Sequence, residues 1–233
     1  MFFTFLFPII LVLIFGAIVR TDPGGGGLFA EPPSFYVAGY LAVVVLFTPM
    51  SRLASEVARY REGNRFEKLA TTPLTRTEWL LAQGLVNVVI ATAACAVVLV
   101  LVLVLTGADF SPSPLVLAYV VAAVIPFLGI GALLGSYTDS RDGAVTASNA
   151  IGLPLLFLSE TFVTLAQLPG WMAPIVHASP LTHFARGVRA ASDPGSEVAA
   201  VGGIDATVAY LGLLVAVGVV AFWLGARSIP VTD

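Results

Sequence analysis

The sequence predicts an all-α membrane protein with six transmembrane helices in one domain, residues 1–233. Of its 233 residues, 58% are hydrophobic and only 11% carry a charge, against about 25% charged in an ordinary soluble domain. So few charges cannot cover a water-facing surface of this size, which excludes a soluble enzyme and a nucleic-acid-binding protein. The hydrophobic residues form six runs, each near the roughly 20 residues that a helix needs to cross a bilayer. The predicted spans are 1–19, 34–51, 79–106, 115–136, 144–165 and 207–225.

Residues that cap helices stand at the start of three spans. Thr75 and Glu78 have the spacing of a capping box before span three. Ser113 and Pro114 provide a capping hydroxyl and a first-turn proline before span four. Asp205 can cap span six. These residues predict where the three helices begin.

Glycines and prolines inside the spans predict close packing and bends. Gly131 and Gly135 have the spacing that lets two helices approach closely, although this spacing also arises by chance in a glycine-rich chain. Pro8, Pro126 and Pro154 each remove one backbone hydrogen bond, so we expect kinks there.

Residues 166–206 predict a re-entrant or interfacial segment between spans five and six. Four prolines interrupt it, so it cannot form a free span, yet residues 171–176 are too apolar for a solvated loop. Irregular backbone at membrane depth is tolerated only where protein buries it.

The basic residues predict the orientation of the chain. With the amino terminus inside, eight basic residues lie on the inner side and three on the outer side. Because positive residues stay cytoplasmic, we expect both termini inside. The inner residues are Arg52, Arg59, Arg61, Arg65, Lys68, Arg76, Arg141 and Arg227, and the outer residues are Arg20, Arg186 and Arg189.

The loop between spans two and three, residues 52–78, is the longest charged stretch, with six basic and four acidic residues. Leu53, Val57 and Tyr60 share one helical face. Gly63 and Asn64 interrupt that helix, and residues 65–71 predict a second, shorter one.

This loop is either a solvated hairpin or a docking surface. The hairpin would only link two spans. The mixed charge and an exposed aromatic residue, Phe66, favour a surface that docks a cytoplasmic partner.

Two blocks of sequence resemble the ABC-type export permeases, in the branch of drug, antibiotic and polysaccharide exporters. Residues 60–83 resemble the inner-loop pattern R-x-x-G-x-x-E-x-L-x-x-T-P-x-x-R-x-E, matched by Arg61, Glu67, Leu69, Thr72, Pro73, Arg76 and Glu78. Residues 158–162 (LSETF), 168–171 (LPGW) and 179–186 (SPLTHFAR), followed by Arg189, resemble the patterns L-S-G-x-x-F, L-P-x-W and N-P-L-T-Y with a final R.

The resemblance implies a membrane subunit in a prokaryotic plasma membrane, paired with a second copy and with ABC ATPase subunits. It implies export of a drug-like, lipid or glycan cargo, with ATP and Mg on the partner and no catalytic residue, metal or cofactor on this chain. It assigns ATPase coupling to Arg61, Glu62, Gly63, Phe66, Glu67, Thr72 and Pro73. It assigns the exit gate and pathway to Glu160, Phe162, Trp171 and Pro180.

The chain departs from the family pattern in a few places. Asn64 stands at the usual Gly position after Gly63, where both residue types tolerate positive φ. Glu160 replaces a usual Gly, Ser179 a usual Asn and His183 a usual aromatic. The family also has an amphipathic helix before span one, whereas this sequence begins in the span.

Two other functions compete with the exporter. An ATP-independent secondary transporter or channel usually has paired ionisable groups at the midplane, and these spans hold almost none apart from Glu160. An intramembrane enzyme needs a serine–histidine pair or clustered metal ligands at membrane depth, but His177 and His183 both lie in the outer segment.

Glu160 has two interpretations of its own. It is either an ordinary, wet residue at the outer interface, or it faces the pathway at the exit gate. In the second case we expect it to be neutralised, by a proton or by pairing with Arg186 or Arg189.

Overall fold

The structure is a computed structural model that describes residues 6, 9–14, 31–192 and 205–230. These residues contain helices and no β-strand. The α-helices are α1 (Pro33–Glu62), α2 (Arg65–Ala70), α3 (Arg76–Thr106), α4 (Pro114–Tyr137), α5 (Arg141–Phe157), α6 (Ala173–Ala178), α7 (Pro180–Ser192) and α8 (Ala206–Ser228). Two 3-10 turns, Leu165–Gln167 and Gly170–Met172, lie between α5 and α6. Residues 9–14 are helical, and the rest of predicted span one, including Pro8, lies outside the described residues.

Among the described residues, four helices are long and apolar enough to cross a membrane: α1, α3, α4 and α8. They correspond to predicted spans two, three, four and six. The prediction that span five continues to residue 165 is wrong, because α5 ends at Phe157. Just beyond that end, the hydroxyl of Ser159 donates to the carbonyl of Leu156 at 2.7 Å. A serine that bonds locally in this way competes with the helix for backbone partners.

Helix α1 lies at the centre of the described bundle. It packs against α3, α4, α5 and α7, and α4 in turn packs along α8. Consequently the apolar stretch of α1 is mostly buried, whereas the apolar stretches of α3 and α8 are mostly not buried and present many exposed side chains. Leu85 and Val104 on α3, and Val208 and Val219 on α8, are among these exposed residues. In a membrane such surfaces face lipid rather than water.

The glycine pair in α4 lets α4 approach α1 closely. A methyl group added at Gly131 would lie 2.5 Å from the carbonyl oxygen of Met50. One added at Gly135 would lie 2.4 Å from the carbonyl oxygen of Ala54. The predicted close packing at this pair is therefore confirmed.

All three predicted helix caps are present. Thr75 and Glu78 form the capping box of α3, with the Thr75 amide donating to Glu78 Oε2 at 2.8 Å and the Glu78 amide donating to Thr75 Oγ1 at 3.2 Å. Ser113 Oγ accepts from the second amide of α4 at 3.2 Å. Asp205 Oδ1 accepts from the second amide of α8 at 2.8 Å.

Apart from Arg20, which lies outside the described residues, the predicted inner and outer basic residues separate to the two ends of the bundle. Arg61 donates to two backbone carbonyls where α4 ends, at 2.8 and 2.9 Å. Arg76, at the start of α3, donates to the carbonyl of Arg227 at the end of α8. We call this the loop end. Arg186 and Arg189 lie on α7 at the opposite end, where α1 and α8 begin, and we call this the far end.

Candidate functional site

The loop between α1 and α3 is built as predicted from two helices and a turn. Helix α1 runs without a break through residues 52–62, about 16 Å beyond the predicted end of span two. Gly63 caps its end, and Asn64 follows with φ 50° and ψ 35°. This left-handed conformation is one that Asn adopts more easily than other residues with a Cβ. The turn is therefore kept although Asn replaces the usual Gly.

Phe66 is buried, so the prediction of an exposed aromatic anchor is wrong. Its side chain is only 2% exposed. The rings of Tyr60, Phe66 and Trp79 contact one another, with centroids 5.2–5.4 Å apart in all three pairs. These rings join α1, α2 and α3, and such pairs stabilise beyond their area burial. Phe66 therefore fixes α2 to the bundle from inside. The signal that was missed is Trp79, which lies 13 positions along the sequence from Phe66.

The outer surface of the loop carries most of the other predicted coupling residues. Glu62, Gly63, Glu67, Thr72 and Pro73 are all exposed. Arg61 is only half-exposed because its guanidinium is bound to the end of α4. We call residues 62–74 the charged loop surface.

A cavity of about 320 Å³ lies beside the charged loop surface. Its walls come from α2, from the turn before α3 and the first residue of α3, and from Pro230, just after the end of α8. Leu69 and Leu74 give the cavity apolar walls, and Leu74 is exposed. It has the size to receive one large side chain from another protein.

At the far end, Glu160 is the centre of a buried polar contact network. Its side chain lies in the turn after α5 and the residue is 8% exposed, so the interpretation as a wet surface residue is wrong. Arg186 on α7 donates through Nε to Glu160 Oε2. The other oxygen, Oε1, accepts from the amide of Leu165 at 3.0 Å, and the Glu160 amide donates to Thr182 Oγ1 at 3.3 Å. Pairing with one of the two predicted arginines is therefore confirmed for Arg186.

Arg189 connects three elements at the far end. It donates through Nη2 to the carbonyl of Thr161 at 2.9 Å and through Nε to the carbonyl of Phe35 at 3.2 Å. Its guanidinium also lies 3.6 Å from the centroid of the Phe35 ring, a cation–π contact. Burial lowers the pKa of Arg189 to about 10, which still leaves it protonated near pH 7. The sequence matched Arg189 to a motif. It did not predict that Arg189, on α7, forms hydrogen bonds both to α1 and to the turn after α5.

The other predicted gate residues are not all together. Phe162 packs edge-on against Tyr40 of α1, with ring centroids 5.8 Å apart. Pro180 begins α7 and is buried. Trp171 is 71% exposed, outside the network around Glu160.

His183 also lies at the far end, one helical turn before Gly187 on α7. Its ring stacks on Tyr210 of α8 with centroids 6.1 Å apart, and its Nδ1 is buried without a hydrogen-bond partner among the described atoms. Burial lowers its pKa, with Arg186 and His177 adding to the shift. His177 is exposed. Within the described ranges, no cluster of three His, Cys, Asp or Glu side chains is placed to hold a metal.

Both the charged loop surface and the Glu160 network lie within one family match. Residues 1–192 match the family described as "ABC-2 type transporter". The chain belongs to this family. The resemblance to ABC-type export permeases is thus confirmed.

Two curated relatives give the same picture. The ABC-2 chain is 30% identical over 192 residues to the daunorubicin resistance ABC transporter permease protein DrrB1 of Streptomyces coeruleorubidus, covering 79% of the chain and 65% of that protein. It is 25% identical over 147 residues to a protein of Escherichia coli (strain K12) named probable multidrug ABC transporter permease YbhS, covering 61% of the chain and 39% of that protein. The chain therefore spans less than two thirds of the length of each relative.

Proposed function

We propose that this ABC-2 chain is the membrane subunit of an ATP-driven exporter that works as a dimer with separate ATPase subunits. The observation that carries the proposal is the charged loop surface, which projects from the loop end on a helix fixed by three rings in mutual contact, those of Tyr60, Phe66 and Trp79. An exposed surface on a rigid support can transmit a movement, because little of the movement is lost within the loop itself.

The charged loop surface docks on the ATPase. Glu62 and Glu67 present carboxylates, and Pro73 follows the end of α2. The neighbouring 320 Å³ cavity receives an apolar side chain of the partner. Phe66 acts through α2 as a positioning residue and does not contact the partner.

The distribution of charge supports an ATP-driven exporter over a secondary transporter. In the four described helices that can cross a membrane, the charged residues lie at the loop end, and none lies in the middle. They are Arg52, Glu56, Arg59, Arg61 and Glu62 of α1, Arg76 and Glu78 of α3, and Arg227 of α8. A secondary transporter usually places such groups near the midplane, where its coupling ion binds.

The exit gate lies at the far end, where the turn at 158–164 and α7 are held together by Glu160, Arg186 and Arg189. A cargo that leaves between two copies has to move this turn. The cargo is drug-like, a lipid or a glycan, consistent with relatives named for daunorubicin resistance and for multidrug transport.

In this assignment the loop end faces the cytoplasm of a prokaryote, with both termini inside. The separation of the basic residues between the two ends supports this orientation. A periplasmic-type reporter fused after Asp233 is expected to be inactive and a cytoplasmic-type reporter active. The opposite pattern would overturn the orientation.

The experiment for the docking is co-purification of the chain with the ATPase encoded beside it. Glu67→Lys, on the charged loop surface, is expected to weaken association at least about tenfold, because a like-charge contact at an interface is strongly unfavourable. The control is Asp142→Lys, which changes another exposed acid at the loop end but on α5. ATP hydrolysis by the complex and export should fall together with association in Glu67→Lys alone. If both variants associate and export like the unchanged protein, the docking surface is assigned wrongly.

A further inference from the structure

An apolar groove of about 640 Å³ runs along the bundle between α3, α4 and α8. Apart from the hydroxyl of Thr77 and the indole N–H of Trp223, its lining side chains are apolar. Leu81 and Leu85 of α3 form one wall, Phe222 and Trp223 of α8 form the other, and Val121 and Leu128 of α4 form the floor. The volume and the apolar lining suit a hydrocarbon chain.

The groove is open on its outer side. Leu85 is 70% exposed, and Leu81 and Trp223 are also exposed. Because α3 and α8 are long and apolar enough to cross a membrane, their exposed faces lie against the bilayer. Lipid, rather than water, therefore has access to the groove.

Two arginines stand where the groove reaches the loop end. The guanidinium of Arg227 lies 3.6 Å from the centroid of the Trp223 ring, which is part of the groove wall. Arg76, one residue before Thr77, donates to the carbonyl of Arg227 at 3.5 Å. The nearby carboxylate of Glu78 is engaged with the amide and hydroxyl of Thr75. Among the described residues, neither arginine has a carboxylate in salt-bridge contact.

We propose that the groove binds one anionic phospholipid. An acyl chain lies between α3, α4 and α8, and the phosphate lies between Arg76 and Arg227. Basic pockets between membrane helices attract anionic headgroups, and each basic residue near the surface strengthens this attraction about fivefold. The arginine stems run along apolar surface while their heads reach the headgroup level, as long basic side chains do at helix ends. The site rests on the proposed function only in placing these helices in a bilayer; it does not depend on ATP coupling.

The test is native mass spectrometry of the full chain after exchange into detergent with equal amounts of phosphatidylglycerol and phosphatidylcholine. We expect one phosphatidylglycerol to be retained in preference to phosphatidylcholine. Arg76→Gln with Arg227→Gln should lower phosphatidylglycerol binding about 30-fold, to the level of phosphatidylcholine. The charge control is Lys68→Gln, which removes an exposed cation at the loop end outside the groove.

A second pair of variants tests the acyl-chain site. Val121→Trp fills the floor of the groove and should reduce retention of both lipids. Its control, Val104→Trp, adds the same bulk to an exposed position of α3 outside the groove and should change neither. Should Val121→Trp fail to fold, Leu85→Trp at the open rim replaces it. Equal retention of the two lipids by the unchanged protein, or an unchanged preference in the double arginine variant, would overturn the site. Co-purification of the ATPase is scored in the same preparations, and its failure in the unchanged protein would overturn the coupling proposal and not the lipid site.

Discussion

Removal of the Glu160 carboxylate should destabilise the far end by about 3 kcal/mol. In Glu160→Ala, Arg186 loses its partner, and breaking a buried pair from one side costs about 3–5 kcal/mol. We expect the lower end of this range because the Arg186 side chain keeps 22% of its exposure and can regain water. The amide of Leu165 also loses its acceptor. For a chain of this size, a loss of about 3 kcal/mol lowers the apparent Tm by roughly 6–12 °C.

A double-mutant cycle isolates the pair from its surroundings. Arg186→Ala also removes a contact with Tyr210, whose ring centroid lies 5.8 Å from the guanidinium. That loss is the same with or without Glu160, so it cancels in the cycle and leaves the coupling between the two charges. We expect a coupling of about 1–3 kcal/mol. It is obtained from the apparent Tm values of the four detergent-purified proteins of the cycle.

Glu160→Gln distinguishes the charge from the hydrogen bond, because its amide oxygen can still accept from Leu165. The apparent Tm of Glu160→Gln should lie between those of the unchanged protein and Glu160→Ala. A coupling below about 0.5 kcal/mol would refute the reasoning, since exposed pairs give values of that size.

Three further predictions follow from particular contacts. Phe66→Ala should release α2, because a buried Phe→Ala change costs about 3–5 kcal/mol. Limited proteolysis should then cut the loop faster than in the unchanged protein. An unchanged rate of cutting would mean that the Phe66 ring does not hold α2. Gly135→Ala should lower the apparent Tm, because the new methyl group meets the backbone of α1. The control, Gly212→Ala, should leave the apparent Tm unchanged, because open space surrounds that position. Equal effects of the two changes would contradict the close approach of α4 to α1. Burial keeps His183 neutral by lowering its pKa below the ordinary value of about 6.5. Below that pH the unfolded chain binds a proton that the folded chain does not, so stability should be full above about pH 6.5 and fall towards pH 5. His183→Phe should flatten this dependence of stability on pH, followed as apparent Tm. An identical pH dependence in both proteins would mean that other groups cause the loss of stability.

Local signals in the sequence predicted the helix starts and the loop correctly. The capping box at Thr75 and the turn at Asn64 depend on residues within four positions of each other, so the sequence contains all the information. The burial of Phe66 depends instead on Tyr60 and Trp79, which meet only when α1 and α3 pack side by side. An aromatic residue on a short amphipathic helix has the same pattern whether it faces a partner or its own chain.

The end of α5 was missed for a related reason. Residues 158–165 are apolar enough to continue a span, and hydropathy alone cannot distinguish a helix from a buried turn. In addition to the local bond of Ser159, contacts with α7 hold the turn: Thr182 accepts from the Glu160 amide, and Arg189 donates to the carbonyl of Thr161. Both α7 residues lie more than 20 positions away in the sequence.

The pair at the far end also explains how the fold accommodates Glu160, at the position where the pattern L-S-G-x-x-F has Gly. A lone carboxylate in this buried turn would lose its hydration without compensation. Arg186 supplies the opposite charge from the next packed helix, and the amide of Leu165 satisfies the second oxygen. The two residues therefore have to be considered as one unit: restoring Gly at 160 alone leaves Arg186 without its partner and should cost about as much as Glu160→Ala. Combining Glu160→Gly with Arg186→Ala should therefore cost less than the two single losses added together, by the coupling of about 1–3 kcal/mol. Strictly additive losses would show that the carboxylate is needed for something other than pairing with Arg186.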